Sequence, residues 1–300
     1  MINDISEILN FRYNVKDFWR NETSALFLEY NQILKSPHCI GVYAHFHFLL
    51  HGEEIKINKQ SKNNDVFCNT FHIHLLGELT NKYPDNFNNL VIMGTDINLS
   101  KTLDLLKHIK HRFKKIYYEA KDVECDWVQT LPMGMMMSYM VRNGGNNVIL
   151  PQVNKKKNKT KLIATAFGSK WSDLTKKIRD RSSLETFTKD SDFVDDMFCE
   201  PIEYYENLCD YRFFACPLGN GIQTPKICEC IMCETVPVVT NHVAHRELRD
   251  IYGLPLLIVN EWFDLTEQFL NDQWNAVYSK IDWHEQKNNF LVKNFNKLLK

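Results

Sequence analysis

Five residues between positions 219 and 229 have the types and spacing that phosphate groups and sugar hydroxyls require. Gly219 and Gly221 allow positive φ and let a ligand approach the backbone, and Thr224 offers a hydroxyl as the N-cap of a predicted helix. Lys226 adds a full positive charge in the first turn, where free N–H groups already favour an anion. Glu229, about one turn further on, could accept hydrogen bonds from both hydroxyls of a ribose. Together these groups indicate a nucleotide site.

The segments around this loop predict a strand, loop, helix, strand unit. Residues 213–215 are an apolar run that suits a strand buried on both faces, and Pro225 suits the first position of a helix that ends near residue 234. A second apolar strand is predicted at 236–239. A right-handed crossover would place the glycine loop at the carboxyl edge of a parallel sheet, where such folds bind ligands. The alternative is a tight turn in which Lys226 is solvated and Glu229 caps a neighbour.

The segment CPLGNGIQTPKICECIMCETVPVV resembles the carboxyl-terminal signature of exostosin-like glycosyltransferases. That signature has a proline and glycine loop, a Ser or Thr, a basic residue, a Glu and a Pro-Val-Val strand. The resemblance implies that Lys226, usually Arg in the family, faces the donor diphosphate, and that Glu229 holds the ribose of a UDP-sugar. Lysine keeps the charge of arginine but loses its planar fork. The resemblance also implies an inverting enzyme of GT-B type that needs no metal or other cofactor, because the loop and helix dipole replace the metal.

The residues around Glu229 agree with inversion. Retaining enzymes with two Rossmann-like domains often have two Glu residues eight apart on this helix, and the corresponding positions here are Gly221 and Pro237. Short, Asn- and Lys-rich members of the family are similar to those of large DNA viruses that build their own glycans. For these the favoured sugar is xylose.

The composition limits the class of protein. The 300 residues are 44% hydrophobic, enough for packed cores, and the net charge of −1 gives no electrostatic reason to expect a nucleic-acid partner. No apolar run reaches the roughly 18 residues of a membrane span, and the start MINDISEILN is too polar for a signal peptide. The nine cysteines, in mostly apolar contexts, favour reduced thiols. We expect a cytoplasmic protein, or a luminal Golgi protein only if the chain is part of a longer, membrane-anchored one.

The first half of the chain predicts strands alternating with helices, which is typical of an α/β fold with parallel sheets covered by helices. After a helix at 3–35, strands are predicted at 39–44, 66–68, 90–94, 115–120 and 128–131. Helices are predicted at 71–80 and from a cap at Ser100 to residue 112. We assign residues 1–155 to an amino-terminal Rossmann-like domain on the acceptor side.

The lysine-rich stretch PQVNKKKNKTK, 151–161, has the composition of a linker and marks the predicted boundary. A second Rossmann-like domain, 156–280, would bind the UDP-sugar. It should contain a strand at 161–167, a helix at 171–181, a strand near 185–187 and a helix near 202–209 before the glycine loop, then a last strand at 256–259. The carboxyl-terminal helix, 281–300, is expected to pack on the first domain. The fold predicted is therefore two facing Rossmann-like domains.

Two arginines are further candidates for the donor diphosphate. Arg179 and Arg181 follow the first strand and helix of the second domain, where a bidentate guanidinium could reach the phosphates. The alternative is a helix C-terminus, which favours positive charge. His242, His245 and Arg246, after the strand at 236–239, are weaker donor-site candidates.

Transfer with inversion needs a general base on the acceptor hydroxyl. Asp96, directly after LVIMGT, is the first choice because it follows a predicted strand of the first domain, with Asp122, Glu124 and His45 behind it. No metal site is expected. The pairs His45/His47 and His72/His74 lack a carboxylate or cysteine at ligand spacing, so packing or acceptor binding explains them better.

The sequence therefore predicts an inverting glycosyltransferase that moves a sugar from a UDP-sugar to a glycan acceptor. One alternative is a sugar-nucleotide epimerase on the same fold, which would change the sugar nucleotide without an acceptor. The other is a catalytically inactive module that binds nucleotide or glycan.

Overall fold

The computed structural model describes residues 1–9, 45–50, 54–59, 61, 63–94, 97–136, 140, 143–168, 180–219 and 221–299. Most of the helix predicted at 3–35 and the whole strand predicted at 39–44 lie outside these ranges. The described residues of that predicted helix, 3–9, contain a single 3₁₀ turn, Ile5–Glu7.

The amino-terminal half builds a six-stranded sheet in the order β2-β1-β3-β4-β5-β6, in which only the β1–β2 pair is antiparallel. Its strands are β1 Phe48–Leu50, β2 Ile55–Ile57, β3 Val66–Asn69, β4 Phe87–Met93, β5 Phe113–Tyr118 and β6 Val128–Thr130. Its helices are α1 Leu75–Lys82, α2 Leu99–Ile109 and α3 Gly145–Asn154.

The carboxyl-terminal half builds a second sheet of five parallel strands in the order β11-β10-β9-β7-β8. The strands are β7 Lys161–Thr165, β8 Val194–Asp196, β9 Tyr211–Ala215, β10 Val236–Thr240 and β11 Leu257–Val259. The helices are α4 Asp180–Asp190, α5 Tyr204–Leu208, α6 Lys226–Met232, α7 Val243–Asp250, α8 Glu267–Ala276 and α9 Trp283–Asn289. The predicted α/β class, with parallel sheets covered by helices, is confirmed.

Both faces of the central strands are buried, which is why runs such as 90–93 and 236–239 are apolar without alternation. In β4, Leu90 and Ile92 pack in the cluster formed with α1 and α2. Val91, between them, points to the opposite face and belongs to a second cluster. That second cluster also contains Phe214 of β9 and Ile231 of α6, so the two halves of the chain share one apolar core.

The last segment of the chain contacts the amino-terminal half. Leu291 forms an antiparallel bridge with Ile8, and the ring centroid of Phe295 lies 5.8 Å from that of Phe46. After α9 the segment continues as a 3₁₀ helix, Val292–Lys297, rather than as a long α-helix. The domain boundaries themselves stay a prediction.

The prediction that residues 151–161 form a flexible linker is wrong. Residues 151–154 complete α3, and Lys159 is half-buried with its ammonium group fully used. Its Nζ donates to Cys209 O, Cys233 O and Thr235 Oγ1, each at 2.8 Å. Within this run of lysines, Lys159 is therefore an anchor, whereas Lys155 and Lys156 are exposed.

Two other local predictions need correction. Residues 185–187 lie in α4, not in a strand, and the strand of this region is β8. The N-cap of α2 is Asn98, not Ser100. Ser100 lies in the first turn, where its N–H and hydroxyl donate to the carboxylate of Asp122 at 2.9 and 2.5 Å.

Candidate functional site

The glycine loop lies at the point where the strand order of the second sheet reverses. The chain runs from β7 to its neighbour β8, then crosses to β9 on the other side of β7. The loop follows β9 and leads into α6, which connects to β10 as predicted. Parallel α/β sheets bind ligands outside the carboxyl ends of the strands at such a switch point.

The loop backbone differs from the expectation in two details. Gly219 does not have a positive φ, and a Cβ built on it would lie 3.5 Å from Gln223 O, an ordinary contact. The N-cap of α6 is Pro225, which has no side-chain cap bond, so the predicted capping role of the Thr224 hydroxyl is wrong. Gly219 N donates instead to Gly221 O at 3.0 Å, which closes the loop on itself.

Lys226 is half-buried among aromatic rings. Its Nζ lies 4.7 Å from the ring centroid of Tyr204 and 5.5 Å from that of Phe214, and it donates to Tyr204 Oη at 3.4 Å. Cation–π contacts of this kind hold an ammonium group without neutralising its charge. The positive charge predicted for the loop is therefore present beside it.

Glu229 is buried, with 2% of its surface exposed. Tyr204 Oη donates to its Oε2 at 2.9 Å. Burial raises the pKa of Glu229, while Lys226 and the Tyr204 hydrogen bond act in the opposite direction. Lys226, Tyr204 and Glu229 thus form one polar cluster behind the glycine loop. The sequence analysis missed Tyr204, which is 25 residues away from its partner.

Of the two arginine candidates, Arg179 lies outside the described residues. Arg181 donates from Nε to Leu218 O at 2.7 Å and from Nη1 to Gly168 O at 2.8 Å. It therefore connects the loop after β7 to the glycine loop after β9. A direct contact of either arginine with a diphosphate stays a prediction.

Asp180 is a buried residue of this edge that sequence reasoning missed. Its carboxylate accepts from Leu218 N at 2.8 Å, Thr240 Oγ1 at 3.0 Å and Trp262 Nε1 at 3.1 Å. Burial raises the pKa of Asp180, and these hydrogen bonds oppose the rise. The carboxylate thus fixes the glycine loop to the ends of β10 and to the segment after β11. Its partners are too distant in sequence to leave a local signal.

The two sheets face each other with their carboxyl edges, and Gln223 connects them. Its Nε2 donates to Glu119 O and to Leu131 O, each at 2.7 Å, and its Oε1 accepts from Met133 N at 3.0 Å. Glu119 follows β5 and Leu131 follows β6. The cavity between Gln223 and this edge measures only about 10 Å³, room for no more than about one water molecule.

A buried ion pair reinforces the same contact. Lys121 Nζ lies 2.5 Å from Glu247 Oε1 and also donates to Val128 O at 2.6 Å. The second oxygen of Glu247 accepts from Thr130 N at 2.7 Å. Glu247 belongs to α7, whereas Val128 and Thr130 belong to β6 and Lys121 to the loop before it, so the pair fixes the orientation of the two halves.

The structure describes three of the four candidates for the general base, and each of them contacts a different partner. Asp96 lies outside the described residues, and Gly94, two positions before it, lies at the carboxyl end of β4. Asp122 caps α2, and Glu124 forms an ion pair with Arg246. His45 is wrong as a candidate for this edge, because it pairs with Asp65, at 2.6 Å, beside the amino ends of β1 and β3.

Glu119 is the carboxylate that the sequence analysis overlooked. It is fully buried directly after β5, and its Oε2 accepts from Gly94 N at 3.0 Å. It therefore lies at the facing edge, in contact with the residue that follows β4. The sequence of β5, FKKIYY, contains no signal for a buried acid directly after it.

His245 is buried, and its Nδ1 lies 2.7 Å from Thr240 O. Burial lowers its pKa to about 4. His242, whose ring centroid is 5.8 Å away, also has a lowered pKa, mainly because of burial. Both histidines are thus neutral near pH 7.

Three or more His, Cys, Asp or Glu side chains do not gather into a metal-binding group anywhere in the described residues. The eight cysteines within those ranges are free, and seven of them are buried. Among the described residues, no helix has the length and apolar character needed to cross a membrane.

No family model and no curated protein matches the chain. Among solved structures, it is similar to a chain of the structure titled "Crystal structure of GtfA/B complex", with a TM-score of 0.40 and 9% identity. The similarity covers 82% of this chain and 60% of that chain, so the protein spans about three-fifths of its length.

Proposed function

We propose that the protein is an inverting glycosyltransferase that moves a sugar, with xylose favoured, from a UDP-sugar to a hydroxyl of an acceptor glycan. The observation that supports this best is the pair of facing carboxyl edges, with the glycine loop at the switch point of the second sheet. Ligand sites concentrate at such edges and between domains. The resemblance of residues 216–239 to the exostosin-like signature supports a UDP-sugar as the donor.

In this proposal the donor lies on the second half of the chain. The backbone of Gly219 and Gly221 approaches the diphosphate, and Lys226, with Arg179 as a further candidate, stabilises the negative charge that develops on the leaving UDP. Glu229 would hold the ribose if Tyr204 gives way to it, since the carboxylate is buried against that phenol.

The acceptor would approach from the first half. A base takes the proton of the acceptor hydroxyl as its oxygen attacks the anomeric carbon, and UDP leaves from the opposite face. Asp96 is the proposed base because it follows β4 by three residues in the sequence, and the carboxyl end of β4 lies at the facing edge. No metal is required in this mechanism, because Lys226 and the dipole of α6 supply positive charge.

A binding screen tests the proposal. Thermal shift and calorimetry with UDP, GDP, UDP-xylose, UDP-glucose and UDP-N-acetylglucosamine, in EDTA, should give a selective response to uridine nucleotides. Lys226→Met should weaken UDP binding about tenfold, the loss of one charged contact. Lys82→Met is the matched control, because Lys82 also lies over a tyrosine ring, that of Tyr83, but on α1.

Product analysis then separates the related activities. Transfer of the sugar to an acceptor glycan supports the proposal. A changed sugar nucleotide in the absence of any acceptor would identify an epimerase instead, and tight UDP binding without turnover would identify an inactive module. No response to any uridine nucleotide contradicts the proposal.

A further inference from the structure

A cavity of about 280 Å³ opens at the carboxyl ends of β7 and β8, next to the glycine loop. Its walls include Phe167 and Gly168 after β7, Glu185 and Lys189 on α4, and Asp196 at the end of β8. Arg181 connects this cavity to the glycine loop, since its guanidinium donates both to Gly168 O and to Leu218 O.

The side chains of the cavity suit a ring that carries hydroxyl groups. Asp196 is exposed and offers an acceptor carboxylate, whereas Lys189 and Glu185 form an ion pair at 2.8 Å on the helix wall. Carboxylates accept hydrogen bonds from adjacent hydroxyls, and ammonium groups donate to them. Phe167 adds a half-buried aromatic surface for the apolar face of such a ring.

A second aromatic side chain supports a ligand at this position. Phe198, two residues after Asp196, is 98% exposed, an unusual state for a large apolar side chain. The position of the loop between these two residues is fixed, because Met197 N donates to Thr165 O at 2.8 Å. Phe198 follows the lining residue Asp196 by two positions, and aromatic rings pack on apolar surfaces such as the face of a sugar ring.

The topology assigns a role to the carboxylate. In parallel sheets that bind nucleotides, an acidic residue at the end of the second strand accepts from the hydroxyls of a ribose. Asp196 occupies the same position here. It is the last residue of β8, which is the second strand of its sheet in chain order, and it lies opposite Thr165 of β7. Glu229 is buried against Tyr204, whereas Asp196 is accessible.

We propose that this cavity is a subsite for a sugar ring with adjacent hydroxyls, held by Asp196 and covered by Phe198. The ring is either the ribose of a nucleotide or a pyranose, and both have the same hydroxyl chemistry. The ribose alternative rests on the proposed function, because it requires that the protein binds a nucleotide. The pyranose alternative can be tested without that function.

The test compares Asp196→Asn with Asp195→Asn. Asp195 is the adjacent carboxylate and instead accepts from Tyr211 Oη at 2.8 Å, so it is a matched control. Binding of a ribose is measured by calorimetry with UDP and 2′-deoxy-UDP. Binding of a pyranose is measured by ligand-observed NMR with methyl β-xyloside and methyl β-glucoside. We expect either UDP or the methyl glycosides to bind about tenfold more weakly to Asp196→Asn, and both to bind Asp195→Asn as they bind wild type.

The outcomes identify the ring. If the ribose binds here, wild-type protein prefers UDP over 2′-deoxy-UDP and Asp196→Asn loses that preference. If a pyranose binds here, only the methyl glycosides are weakened. Gly168→Val should act in the same direction without loss of stability, because a Cβ at Gly168 meets only open space. Phe198→Ala should weaken the same ligand.

The result that overturns the subsite is distinct from the failure of the proposed function. If wild-type protein binds UDP and Asp196→Asn binds UDP and the glycosides equally well, the subsite is wrong and the transferase proposal stands. If wild-type protein binds no nucleotide but loses glycoside binding with Asp196→Asn, the subsite stands and the transferase proposal is wrong.

Discussion

Tyr204 donates a hydrogen bond of 2.9 Å to Oε2 of Glu229, and both side chains are buried. This contact joins α5 to α6 directly behind the glycine loop. The phenol of Tyr204 gives the buried carboxylate a hydrogen-bond donor that α6 itself does not supply. The ring of Tyr204 also makes a cation–π contact with Lys226. The cluster is therefore both a structural unit and the back wall of the candidate donor site.

Tyr204→Phe should lower the free energy of unfolding by roughly 1–3 kcal/mol, because a buried carboxylate loses its donor. The pKa of Glu229 should rise further, since this hydrogen bond lowers it. Urea unfolding measures the first effect. Tyr205→Phe is the matched control, because Tyr205 is equally buried and its hydroxyl has no hydrogen-bond partner among the described residues. Equal losses for the two variants would contradict the assigned role.

Gly219→Ala should leave the stability within about 0.5 kcal/mol of wild type, because the added Cβ makes only ordinary contacts and φ is not positive. If a diphosphate approaches the loop backbone, the same variant should bind UDP about tenfold more weakly. Gly94→Ala is the contrasting variant. Its Cβ would lie 2.3 Å from Thr70 Oγ1 at a φ of 128°, so it should lower the midpoint of unfolding. Unchanged UDP affinity in Gly219→Ala would contradict the proposal that the loop binds the diphosphate.

Gln223→Leu should lower the free energy of unfolding by roughly 2 kcal/mol or more, because Glu119 O, Leu131 O and Met133 N lose their partner at a buried contact. Gln268→Leu, on the exposed face of α8, serves as the control and should change stability by less than about 0.5 kcal/mol. Hydrogen exchange of the amide of Met133 gives a local measurement. If its protection is the same in Gln223→Leu and wild type, Gln223 does not connect the two halves.

The strands that position the site could be predicted from sequence because both faces of the central strands are buried. Runs such as 90–93 and 236–239 are apolar without alternation, and the structure confirms them. The strand predicted at 185–187 failed because Thr and Phe favour strands, whereas packing of Leu184 and Phe187 on the second sheet selects a helix. The contacts of the candidate site join residues that are distant in the chain, such as Gln223 and Glu119, separated by 104 positions. Local patterns contain no information on such pairs.

Lys159 should make stability rise with pH above neutrality. Burial is the main cause that lowers its pKa to about 8 in the folded protein, whereas an unfolded chain keeps the proton to about 10.5. Between these values the unfolded state binds more protons, so the free energy of unfolding increases with pH. Relative to Lys159→Met, wild type should gain roughly 1–3 kcal/mol between pH 7.5 and pH 10. Lys156→Met, at an exposed position, should show no such difference, and a pH-independent gap for Lys159→Met would contradict the prediction.

His245 should have the same effect on the acid side, where stability again rises with pH. Its pKa in the folded protein is about 4, mainly because of burial, with His242 and Arg246 as the nearby groups that lower it further. The unfolded chain takes up a proton near pH 6.5, which the folded protein does not accept until about pH 4. Stability present above pH 6.5 is therefore lost as the pH falls through this window, by up to about 3 kcal/mol. Urea unfolding of wild type and His245→Asn at pH 7 and pH 4.5 measures the difference, which should shrink at the lower pH. His108→Asn, on the exposed face of α2, is the control, and parallel pH profiles for wild type and His245→Asn would show that the imidazole does not stay neutral in the folded protein.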